Sequence, residues 1–140
     1  MLKTVYNSYG VMTLIVLGIT LRFIIFYVSP PSNSYDNHLE VIHTYSVDTE
    51  RPLPCSCWEC YQPPVYYSIS AFAFSSSKYF GFSKDTCWKL VQFINPILSI
   101  LMILLVLNIF ELFEVKQALK LLYLSFIIVL PRDIFTSVMI

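Results

Sequence analysis

Three stretches of this chain are apolar almost without interruption, and the polar residues are gathered between them. Residues Tyr9–Val28 carry one charge, Arg22, and Leu90–Phe110 carry none over twenty-one residues. A third run, about Val115–Leu130, is shorter, has Lys116 and Lys120 near its start and stops at Pro131. A bilayer crossing takes about 20 mostly apolar residues as helix. The pattern therefore predicts about three transmembrane helices, at 9–28, 90–110 and 115–130. Arg22 is expected to reach past the lipid boundary on its flexible stem. The first run exceeds a signal-peptide core and lacks a small-residue cleavage site, so it reads as a retained anchor.

The interval 29–89 is different. Pro30-Pro31 ends the first helix, and Asn33 or Ser34 is suited to cap a new one. DNHLEVIHTYSV, from Asp36, fits a short helix with Asp36, Glu40 and His43 on one face and His38 turned away. Pro52 and Pro54 end it, and Pro63-Pro64 open the next segment where proline is tolerated. Val65–Phe82 is aromatic, yet it contains Ser68, Ser70, Ser75, Ser76, Ser77 and Lys78. A helix lying in the membrane interface, or re-entering between other helices, suits it better than a crossing. The expected fold is thus an all-α polytopic membrane protein, with juxtamembrane helices in a first external loop at 29–89.

Composition agrees. Hydrophobic residues are 56% of the chain and charged residues 13%, about half the share usual in soluble domains. Nine basic and nine acidic side chains cancel, so there is no basic field for nucleic acid. Lysine and arginine placement decides orientation poorly. Arg51 is the lone basic residue of 29–62, which favours an external loop, but Lys78, Lys84 and Lys89 oppose it.

Asp36 offers the sharpest chemistry. A carboxylate at the lipid–water boundary is partly desolvated, which raises its proton affinity and suits a general base; the plainer role is support of a helix N-terminus. Cys55, Cys57 and Cys60, with Cys87 further on, provide one C-x2-C pair rather than the two of a four-thiolate zinc site. They read as disulfide or thiol residues, with no metal expected. His38 reads as a surface or hydrogen-bonded histidine rather than a metal ligand.

The order of these features carries a resemblance. After the first apolar run come Asp36-Asn37-His38, a helix, Leu53-Pro54, an aromatic-acidic patch and Gln62-Pro63-Pro64-Val65-Tyr66-Tyr67; Leu130-Pro131-Arg132-Asp133 closes the third run. This order resembles the lipid-carrier-dependent glycosyltransferases of the GT-C fold, relatives of dolichyl-phosphate-mannose protein mannosyltransferases. The resemblance implies the N-terminal part of a longer enzyme that moves a sugar from a polyprenyl-phosphate donor to an acceptor hydroxyl. Asp36 would be the catalytic base, and His38, Glu40 and Arg132 would bind substrate, without a cofactor. It also implies an integral, multi-pass location in the plasma membrane or endoplasmic reticulum, with Asp36 and Pro131 on one non-cytoplasmic side. Two other classes fit the residues: a small non-catalytic membrane scaffold, and a membrane thiol or metal protein using the four cysteines.

Overall fold

The computed structural model describes residues 9–31, 33–34, 38–47 and 64–129. Within them the secondary structure is helical: α1 (Tyr9–Val28), α2 (His38–Val47), α3 (Pro64–Tyr79), α4 (Lys84–Leu112) and α5 (Gln117–Val129). They fall into two compact units. One holds α1, α4 from Pro96 onward, and α5; the other holds the described residues of Ser29–Asn95, and so α2, α3 and the start of α4.

In the first unit α1 packs on α5. Val11, Ile15, Gly18 and Arg22 form the buried stripe of α1, and Val11 and Ile15 share a core with Ile103, Leu107, Leu124 and Ile128. The remaining surface stays apolar: Val16, Leu17, Ile24, Leu101, Met102 and Leu105 are exposed. A helix that is apolar on every side belongs in a bilayer or a large core. Two helices, α1 and α4, are long and apolar enough to cross a membrane. α5 has thirteen residues, which at 1.5 Å each gives about 20 Å, short of a hydrocarbon core of about 30 Å.

The second unit has a mixed core of Val41, Ile42, Tyr67, Ala71, Phe74, Cys87, Trp88 and Val91, with α2 packed on α3. α3 buries Tyr67, Ser70, Ala71, Phe74 and Ser77, one face at helical spacing, and exposes Val65, Ile69 and Phe72. Pro64 is its first residue, where the missing N–H has no helical partner to lose. α2 is described over His38–Val47, and the residues between it and the expected caps Asn33 and Ser34 lie outside the described ones; the Asn33 amide closes a turn onto the Pro30 carbonyl at 3.1 Å. Ser83 caps α4, its Oγ accepting the Thr86 amide at 3.2 Å.

Two helix ends share one geometry. After α3, the amides of Gly81 and Phe82 bond the carbonyls of Lys78 and Ser77; after α4, the amides of Glu114 and Val115 bond those of Glu111 and Phe110. Both are Schellman closures, which place one residue in the left-handed region. That residue is Gly81 at φ 80° in the first and Glu114 at φ 50° in the second.

Arg22 corrects an expectation. It is 1% exposed and turned inward rather than toward a lipid boundary. Its Nε donates to Ser99 Oγ at 2.8 Å and its Nη1 to the Gly18 carbonyl at 3.1 Å. Polar partners inside the unit satisfy the guanidinium where lipid cannot. Lys120 is likewise buried and paired with Glu111.

Candidate functional site

The polar residues of the second unit form a network centred on the two tyrosines that follow Pro63-Pro64. Neighbouring helical positions differ by about 100°, so Tyr66 and Tyr67 face different helices. Tyr67, 1% exposed, shares a 2.7 Å hydrogen bond with His38 Nδ1 on α2. Tyr66 accepts a 3.0 Å hydrogen bond from Asn95 Nδ2 on α4. Burial raises the Tyr66 phenol above its ordinary pKa, while Asn95 and the nearby Ser70 pull it part of the way back. From α4, Lys89 Nζ donates to the Ser29 carbonyl at 2.6 Å and Gln92 Nε2 to the Pro30 carbonyl at 3.3 Å. The backbone leaving α1 is thereby tied to the same helix that holds Tyr66.

On the other side of α2 lies an open cavity of about 680 Å³. Its apolar wall includes Phe74, Trp88 and the buried Cys87, with the Phe74 and Trp88 rings 4.4 Å apart. Glu40 and His43 from α2, Lys78 from α3, and Lys84 and Asp85 from α4 bring polar groups to it. Thus Glu40 and His43 do share a face, as their spacing predicts, and His38 points elsewhere. Cys87 carries a free thiol, its Sγ 3.7 Å from the Phe82 carbonyl oxygen.

Asp36, Cys55, Cys57, Cys60 and Arg132 lie outside the described residues. Among the described residues, no group of three His, Cys, Asp or Glu side chains is placed to hold a metal ion. Asp85, Trp88 and Asn95 were not picked out by sequence reasoning, and Lys78 and Lys84 entered it only through charge bias, not as site residues. The available signal was a set of charges bracketing the Gly81 turn between two aromatic helices. No protein-family model, curated protein or solved structure matches the chain.

Proposed function

We propose that this chain contributes to a multi-pass membrane glycosyltransferase that moves a sugar from a polyprenyl phosphate to an acceptor hydroxyl. The observation that supports this reading is the His38–Tyr67 hydrogen bond. It joins the two motifs that carry the resemblance, Asp36-Asn37-His38 and Pro63-Pro64-Val65-Tyr66-Tyr67, across 29 residues. α1 and α4, each long and apolar enough to cross a membrane, provide the setting for a lipid-linked donor.

In this reading Asp36 takes the proton from the acceptor hydroxyl as that oxygen attacks the anomeric carbon. The bond from the sugar to the phosphate oxygen breaks, and its electron pair leaves with the lipid phosphate. Arg132 steadies the phosphate through its bidentate fork, while His38 and Glu40 contact substrate. The two tyrosines position rather than react: the buried Tyr67 holds His38, and the half-buried Tyr66 anchors α3 to α4.

The test is Asp36→Asn in the intact protein, with transfer and donor binding measured on one purified sample. Loss of a general base lowers turnover by about 10²- to 10⁴-fold, with donor binding retained. A capping role predicts near-normal turnover, because asparagine and aspartate cap about equally well. Near-normal turnover in a folded variant overturns the assignment.

A further inference from the structure

The cavity beside α2 gathers charges of which the transferase reading uses only Glu40. Four charged side chains reach it, two of each sign: Glu40 and Asp85, Lys78 and Lys84. Among the described residues none of these four is in an ion pair. Opposite charges that surround one cavity without neutralising each other are complementary to a ligand that carries both signs. The wall between them is aromatic, with Phe74 and Trp88 in contact, and such faces attract an ammonium group.

The rim bears on where such a ligand comes from. Tyr79, Phe80 and Phe82 are 89%, 74% and 52% exposed at the turn between α3 and α4. A run of bare aromatics at the head of a membrane-length helix suits the headgroup layer of a bilayer, where aromatic side chains concentrate. Lys84, on the cavity, is the first residue of that helix.

We infer that this cavity binds the zwitterionic headgroup of a membrane phospholipid, a phosphodiester bearing an ammonium group. Lys78 and Lys84 take the phosphate oxygens. Glu40 and Asp85 take the ammonium, which lies toward Trp88 and Phe74. The site shares Glu40 with the transferase reading but uses neither Asp36 nor the His38–Tyr67 pair. Its lysines, Lys78 and Lys84, play no part in transfer, so headgroup binding and sugar transfer are tested by separate variants.

The experiment uses the full chain in maltoside micelles, which supply neither phosphate nor amine. A Trp58→Phe background leaves Trp88 as the fluorescent reporter. Glycerophosphoethanolamine, the phosphodiester headgroup without acyl chains, is titrated beside ethanolamine alone and inorganic phosphate alone. The zwitterion should give a saturable Trp88 signal at least about tenfold tighter than either half. The doubles Lys78→Gln/Lys84→Gln and Glu40→Gln/Asp85→Asn should each weaken it by about tenfold or more. All four side chains are exposed, so far-ultraviolet circular dichroism should be unchanged in both. Competition with nanodiscs then separates the sources: phosphatidylethanolamine discs should displace the probe and phosphatidylglycerol discs should not. Phosphate binding as tightly as the zwitterion would reduce the site to an anion site and overturn the proposal. So would either folded double variant binding like the parent, or no saturable signal. Probe binding that phosphatidylethanolamine discs leave undisturbed overturns the lipid assignment in favour of a soluble zwitterion.

Discussion

Arg22 on α1 donates its Nε–H to Ser99 Oγ on α4 at 2.8 Å, a contact between residues 77 apart in the chain. The guanidinium is buried on a stripe that is otherwise Val11, Ile15 and Gly18. A charge in such a place needs its hydrogen bonds more than a surface charge does, because no water stands ready to replace them.

Ser99→Ala should therefore destabilise the first unit. Removing the acceptor leaves the Nε donor without this partner, at a cost of about 1–3 kcal/mol. The measurement is the unfolding midpoint in detergent, followed by circular dichroism. Ser99→Thr, which keeps a hydroxyl, should stay closer to the parent, and equal losses in the two variants would show that the hydroxyl is unimportant.

Gly18 should resist enlargement. A Cβ built there lies 2.8 Å from Ile128 Cγ1 and 3.3 Å from its Cδ1, so Gly18→Ala forces the α5 side chain to move. Overpacking of this kind costs about 1–3 kcal/mol. Ile128→Ala opens the space, and Gly18→Ala added to it should cost less than Gly18→Ala alone. Strict additivity in this double-mutant cycle would contradict the close approach.

The paired Schellman closures predict opposite signs for two substitutions. Glu114 adopts φ 50° with a side chain, a conformation that costs an L-residue about 1–2 kcal/mol relative to glycine. Glu114→Gly should raise the unfolding midpoint, offset in part by the greater freedom of glycine in the unfolded chain. Gly81→Ala, at φ 80°, should lower it. There is open space around a Cβ at Gly81, so that loss would come from the backbone and not from a clash.

Tyr66 gives a pH dependence with a defined sign. Its folded pKa lies above the ordinary value of about 10, chiefly through burial. The unfolded state therefore loses the proton first as pH rises. The contribution of Tyr66 is complete below about pH 10 and is lost as pH climbs from there through the raised folded value. Between those limits the parent should lose stability more steeply than Tyr66→Phe. Parallel stability curves for the two proteins above pH 10 would contradict a protected phenol.

Local rules governed much of what the sequence made legible. Pro64 opens α3 because a proline without an N–H costs nothing at a first helical position, and that requirement needs no knowledge of neighbours. Glu40 and His43 share a face because helical periodicity places residues three apart on one side. Arg22 was misread for the complementary reason. Its spacing from the end of α1 says how far its stem can reach, but Ser99 is invisible until α4 is brought alongside.

The sequence by itself determined that the described residues are helical, that two long apolar helices cover 9–28 and 90–110, and that α1 stops before Pro30-Pro31 while α3 opens at Pro64, because hydropathy and backbone restriction act over a few residues at a time. Tertiary structure alone decided that Tyr67 meets His38, that Tyr66 meets Asn95, and that Glu40, Lys78, Lys84 and Asp85 surround one cavity. Each of those pairings depends on which faces of separate helices are packed together, and side-chain hydrogen bonds act over about 3 Å, a distance that only folding can impose on residues dozens of positions apart.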